Sequence, residues 1–154
     1  MFKKIIFCTD FSENSHHAFT YALNLAKTYK SKLVLLHVTP EPAHPEQLSI
    51  YLSPERLEEL KISQKRELNQ QLRTHYLDKM ERFKDYQVVI KTGEPFFEII
   101  RLSRKEKADL IVMGTHGRTG LDHIIFGSTA EKVVRKSTCP VLTVRLPGKK
   151  FTMP

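Results

Sequence analysis

Five short apolar runs, separated by stretches with helical periodicity, constrain this chain more than any other feature. Ile5-Ile6-Phe7 lies between Lys3-Lys4 and Thr9-Asp10. Leu33-Val34-Leu35-Leu36-His37-Val38, Tyr86-Gln87-Val88-Val89-Ile90, Leu110-Ile111-Val112-Met113 and Val141-Leu142-Thr143-Val144 follow at intervals. Nearly continuous β-branched runs of this length predict strands covered on both faces, as in a parallel sheet. Pro140 can open the last run, because a proline at a strand's first residue removes no ladder bond.

The intervening segments read as helices. Ala18, Ala22, Leu25, Ala26 and Tyr29 share a stripe beside Phe19 and Leu23, with Ser12 or Asn14 as the cap. Leu68, Leu72, Tyr76 and Met80 recur every fourth position, continued upstream by Leu57 and Leu60, and Ser53-Pro54 makes a cap-then-N1 start. Gly93-Glu94-Pro95 opens a third helix carrying Phe96, Phe97, Ile99, Ile100 and Leu102. A fourth spans about Phe126 to Lys136, with Ala130, Val133 and Val134 inward. The strict alternation of strand and helix predicts one open α/β domain with a five-stranded parallel sheet, strand order 3-2-1-4-5 and helices on both faces. The domain is expected over residues 1–146, with a C-terminal tail at 147–154. Residues 39–52, with Pro40, Pro42 and Pro45, read as a long loop.

Composition narrows the class. The 154 residues suit a single domain, and a chain of this size needs no disulfides to hold its core. No run reaches the roughly 18 apolar residues of a membrane span, and the apolar start stops at Thr9-Asp10, short of a signal peptide. Two cysteines, Cys8 and Cys139, read as small core residues on different strands and suit a reducing, cytoplasmic setting. The net charge of +8 admits polyanionic partners. It is spread over helices and tail, without the basic stripe and interleaved aromatics of a nucleic-acid groove, and +5 of it falls in residues 92–154. The seven histidines show no zinc-ligand spacing: His16-His17 diverge on a helix, His116 and His123 lack a close third ligand, and His37 reads as a satisfied strand residue.

Ligands of open α/β sheets bind beyond the carboxyl ends of the strands where the strand order reverses. In the order 3-2-1-4-5 the first and fourth strands meet there. Cys8-Thr9-Asp10 leaves one, and Gly114-Thr115-His116-Gly117-Arg118-Thr119-Gly120 leaves the other. Gly114 and Gly117, with Gly127-Ser128-Thr129 at the start of the last helix, would offer backbone N–H groups and hydroxyls to a phosphate, and Arg118 a charged fork. Three readings keep alternatives. Asp10 serves a ligand or caps the first helix, Ser128 caps the last helix or holds phosphate, and Arg118 meets phosphate or only solvent. Neither a Walker A loop nor a G-x-G-x-x-G fingerprint is present.

The spacing Gly114-x2-Gly117-x9-Gly127-Ser128 resembles the signature of ATP-binding universal stress proteins. Ala108-Asp109-Leu110-Ile111-Val112-Met113-Gly114 and the closing Ser137-Thr138-Cys139-Pro140-Val141-Leu142-Thr143-Val144 resemble that family too, and the likeness runs from about Lys3 to Arg145. It implies ATP, or ADP or AMP, as ligand, with Mg²⁺ or Mn²⁺ on the phosphates. Asp10 would stand near ribose and metal, with Cys8 and Thr9 in backbone contact. Val38 would read adenine through its main chain, and Met113 and Gly114 would approach ribose and phosphates. Gly117, Gly127, Ser128 and Thr129 would hold the phosphates. Cys8 departs from the proline or small aliphatic residue common there. The resemblance further implies a homodimer through Val141, Leu142, Thr143 and Val144, and a nucleotide-responsive stress or signalling module. The alternatives are a slow ATP hydrolase or phosphoryl-transfer enzyme, for which no residue stands out as a base, and a nucleotide-free dimeric adaptor.

Overall fold

The computed structural model describes residues 1–41, 50–116 and 127–148. Their elements are β1 (Lys4–Thr9), α1 (Glu13–Tyr29), β2 (Lys32–Thr39), α2 (Pro54–His75), a 3₁₀ turn (Leu77–Met80), β3 (Tyr86–Thr92), α3 (Pro95–Glu106), β4 (Leu110–Gly114), α4 (Ser128–Lys136) and β5 (Val141–Val144). All neighbouring strands pair in parallel, in the order β3-β2-β1-β4-β5. The expected fold and strand order are the ones observed.

Alternate residues of each strand serve opposite faces of the sheet. Ile5, Phe7, Leu33, Leu35, Leu110 and Val112 pack against α1 and the end of α2. Ile6, Cys8, Val34, Leu36, Ile111 and Met113 pack against α3 and α4. Phe7 and Tyr76 are fully buried, each contributing about 1.5–3 kcal/mol by removal of apolar surface from water. At the amino end of the sheet, Asp109 Oδ2 accepts the backbone N–H groups of Lys3 (2.8 Å) and Lys4 (2.9 Å), tying β1 to β4.

Local chemistry explains the helix starts. Ser12 Oγ accepts the Ser15 N–H, Ser53 Oγ that of Arg56, and Glu94 that of Phe97, with Pro54 and Pro95 in the first turns of α2 and α3. Four expectations need correction. The fourfold repeat from Leu68 to Met80 is not one helix: α2 ends at His75, and the 3₁₀ turn brings Met80 back onto the core that holds Tyr76. Val134, expected inward, is 48% exposed, and Phe97 (66%) and Tyr29 (41%), from the apolar sets of α3 and α1, are also largely exposed. Cys139 precedes β5 in a turn whose backbone N–H donates to Ser137 Oγ (3.2 Å), so it is not a strand residue. The last helix begins at Ser128, while Phe126 lies outside the described residues.

Candidate functional site

The order of strands reverses between β1 and β4, and their carboxyl ends open into a cleft of about 360 Å³. Its lining includes Cys8, Thr9 and Asp10 from β1, Val38 from β2, Met113 and Gly114 from β4, and Gly127, Ser128 and Thr129 from the start of α4. Nine sequence-selected residues from four separate elements therefore share one concave surface of a size typical of small-molecule sites. Gly117 and Arg118, like His123, lie outside the described residues.

Each element presents something different to the cleft. α4 enters it amino end first. Gly127 is its N-cap and provides no side-chain cap, whereas Ser12, Ser53 and Glu94 cap α1, α2 and α3. The N–H groups of the first turn of α4 thus carry the partial positive charge of the helix dipole to the cleft wall. Ser128 is the first helical residue rather than the cap, so its hydroxyl adds to those donors. The end of β4 and the start of α4 are locked together, with the Gly127 N–H on Thr115 O (2.8 Å) and the Thr115 N–H on Val144 O (3.0 Å).

The β1–α1 turn is braced from behind. Asp10 Oδ1 accepts the Ser12 N–H (3.0 Å), so Asp10 orders the turn ahead of the cap and is not itself the cap of α1. Thr9 Oγ1 accepts the Phe11 N–H (2.9 Å) and shares hydrogen bonds with Ser15 Oγ and the Tyr76 phenol. His37 Nδ1 donates to Thr9 O at 2.9 Å, which places a proton on Nδ1 and satisfies the strand histidine as expected. Phe11 has φ of 62°, a left-handed conformation that costs a bulky residue about 1–3 kcal/mol. Ring contacts with His37 (4.7 Å) and Tyr76 (5.9 Å) hold it there. Nothing in the local sequence signals that strain, because the rings that impose it come from β2 and the end of α2.

The lining also has an apolar share. Leu36, Pro40, Pro95, Ile99 and Ala130 contribute to it, beside the polar Ser15, His37, Thr115 and His116. None of these is selected as a ligand contact from the sequence, although Thr115 and His116 stand in the loop expected at the cleft. Pro40 and Pro95 follow the ends of β2 and β3, where the topology rule could have found them. Burial pushes the Cys8 thiol well above the ordinary thiol range, so it stays neutral and contributes shape and backbone only.

Gly114 also has a packing role that the sequence does not signal. A Cβ built on it would lie 2.9 Å from the Cβ of Asn14 and 3.0 Å from its carbonyl carbon. Its lack of a side chain lets β4 pass against the start of α1, so the need for glycine comes from packing as well as from its place at the cleft.

The sequence model of the Universal stress protein family matches residues 1–145. The chain belongs to the universal stress protein family. It is 35% identical to universal stress protein MJ0531 of Methanocaldococcus jannaschii, over 97% of this chain and 86% of that one. It is 32% identical to universal stress protein YxiE of Bacillus subtilis, over 94% of this chain and all of that one. Among solved structures, protein MJ0577 superimposes with a TM-score of 0.79 at 32% identity, covering 99% of both chains. The universal stress protein UspA of Lactobacillus plantarum gives 0.72 at 26%, over 93% of this chain and 97% of that one. Among the described residues of this universal stress protein, no helix is long and apolar enough to cross a membrane.

Proposed function

We propose that this universal stress protein is a cytoplasmic, nucleotide-responsive signalling module that holds ATP, or ADP or AMP, in the switch-point cleft. The observation that carries the reading is convergence: the described part of the glycine signature, Gly114 and Gly127-Ser128-Thr129, lines the same cleft as Asp10 and Val38. The apolar lining residues Leu36, Pro40 and Ile99 suit a purine, and the uncapped start of α4 suits phosphate. Gly117 and Arg118 belong to the same signature and are proposed as further phosphate contacts.

Asp10 fits a Mg²⁺ or Mn²⁺ ion that arrives with the nucleotide. Its Oδ1 bond to Ser12 fixes the carboxylate at the cleft, and Mg²⁺ commonly takes one or two carboxylates together with phosphate oxygens and water. When bound, the ion would neutralise phosphate charge, while Asp10 orients it and the first turn of α4 holds the phosphate oxygens.

Calorimetric titration with ATP and ADP, with and without Mg²⁺, tests the reading. A saturable one-site isotherm is expected, and absence of heat with either nucleotide in both conditions would overturn it. The cytoplasmic placement rests on the free thiols of Cys8 and Cys139.

The second element of the proposal is a homodimer through β5. Pro140 O and Val144 O accept from β4, so the alternating pattern turns the N–H and C=O of Val141 and Thr143 to the open edge. A second copy of Val141–Val144 running antiparallel would satisfy them about a twofold axis. Light scattering should give twice the chain mass, reduced by Thr143→Pro, which removes an outward donor. A mass indifferent to that substitution would exclude this edge.

A further inference from the structure

Tyr76 is fully buried and ends α2, and it is not among the described residues that line the cleft. Its ring packs against Phe7, Phe11 and Phe19 at 5.3, 5.9 and 4.9 Å. A phenylalanine would serve that packing equally well. The hydroxyl has a separate partner, Thr9 Oγ1.

Counting hydrogens gives the direction of that bond. Ser15 Oγ carries one hydrogen, and its bond to Ser12 O (2.8 Å) uses it, because a carbonyl only accepts. Ser15 Oγ therefore accepts from Thr9 Oγ1 (3.2 Å), which uses the Thr9 hydrogen. Thr9 Oγ1 is left with its lone pairs. The Phe11 N–H takes one at 2.9 Å, so Tyr76 donates to the other. The chain runs one way, from the Tyr76 phenol to Thr9, to Ser15, to Ser12 O.

The same atoms frame Asp10. On its amino side, Thr9 O accepts from His37 Nδ1 (2.9 Å). On its carboxyl side, Thr9 Oγ1 holds the Phe11 N–H. Asp10 Oδ1 accepts the Ser12 N–H (3.0 Å), and Ser15 holds Ser12 by its carbonyl. The grips at Phe11 and at Ser12 both pass through hydroxyls, and both lead back to Tyr76. The break of α2 after His75 is what turns Tyr76 toward Thr9, since Tyr76 closes the helix and precedes the 3₁₀ turn.

We propose that Tyr76 is a positioning residue for the cleft: by donating to Thr9, its hydroxyl holds the Asp10 carboxylate in the orientation that receives a phosphate-borne Mg²⁺. Tyr76 touches neither nucleotide nor ion and acts only through Thr9 and Ser15. This role rests on the nucleotide reading of the cleft.

Tyr76→Phe removes the hydroxyl and keeps the ring, and circular dichroism confirms its fold. Calorimetry with ATP, with and without Mg²⁺, compares it with the natural protein. The gain in affinity that Mg²⁺ brings should shrink by about tenfold, as for partners that orient a metal ligand. In an Asp10→Ala background, Tyr76→Phe should change nothing further. An undiminished gain, or a further loss in that background, would overturn the role of Tyr76 and leave the nucleotide site standing. A natural protein that binds no ATP, or binds it no better with Mg²⁺, removes the ion at Asp10 and this role with it. Amide exchange in the nucleotide-free protein reads the chain without any ligand. The Phe11 amide should exchange about fivefold faster in Tyr76→Phe, relative to the Ile6 amide, which lies inside β1 and follows global unfolding. An unchanged ratio of the two rates would show that the hydroxyl does not hold the turn.

Discussion

Gly114 and Asn14 are in such close contact that β4 and the start of α1 leave no room for a methyl group between them, a Cβ at Gly114 lying 2.9 Å from that of Asn14. The Asn14 atoms belong to a helix, fixed by the Ser12 cap, so they cannot swing aside as a flexible side chain would. The first glycine of the sequence signature is thus also the point at which β4 passes against the start of α1.

Gly114→Ala should accordingly destabilise the protein by about 1–3 kcal/mol, the usual cost of overpacking, and Gly114→Val by more. Urea denaturation of the nucleotide-free protein is the measurement. An unchanged midpoint for Gly114→Val would show that the contact relaxes freely.

Ser128→Asp separates stability from binding. A carboxylate in the first turn of α4 complements the helix dipole and should leave stability unchanged or raise it by about 0.3–1 kcal/mol. The same charge repels a phosphate, so ATP affinity should fall by about tenfold or more, a difference of roughly 1.4 kcal/mol. Calorimetry and thermal melting on one sample check both. Retained affinity would place the phosphates elsewhere.

His16 gives the protein a pH dependence near neutrality. Its ring stacks on His75 at 4.1 Å, and its Nε2 is buried without a hydrogen-bond partner among the described residues. Burial lowers its pKa, with His75 and Lys79 adding to the effect and Asp10 and Glu13 opposing it. A histidine with a lowered folded pKa takes up its proton more readily when unfolded. Its contribution is therefore complete above the unfolded value of about 6.5 and declines as pH falls from there toward the folded value. The urea midpoint should drop as pH is lowered from about 7.5 to 5.5, and His16→Leu should flatten that slope. Equal slopes in the two proteins would assign the dependence to other groups.

Acid acts at the other end of the sheet. The backbone N–H groups of Lys4 and Lys3 hold the Asp109 carboxyl below its usual range, and the Lys4 ammonium, 2.6 Å from Glu106, does the same for that residue. Their stabilising effect is present above the unfolded carboxylate range and lost as pH falls through the lower folded values. Asp109→Ala should cost about 1.5–3 kcal/mol at neutral pH, where two charge-assisted bonds are lost, and less at a pH where the carboxylate is already protonated. Denaturation of both proteins at about pH 7 and pH 3 measures the difference. An equal cost at the two values would mean that the carboxylate's charge is not what matters.

Much of this protein is legible along the chain. Runs such as Ile5-Ile6-Phe7 and Leu110-Ile111-Val112-Met113 specify strands because β-branched and apolar side chains must be covered on both sides of a parallel sheet. Ser53-Pro54 and Glu94-Pro95 specify helix starts because capping is local chemistry. The spacing of Gly114, Gly127 and Ser128 pointed to a shared site for the same reason, since topology carries both strand ends to one place. Tertiary structure decided what depends on atoms far apart in sequence. It stopped α2 at His75 so that Tyr76 and Met80 could both reach the core, and it held Phe11 in a left-handed conformation with rings from β2 and the end of α2. It also gave Gly114 its neighbour in Asn14. Periodicity tells which face of a helix is apolar but not how far another element extends over it, and so Leu60, Phe97 and Val134 meet solvent from stripes that look continuous.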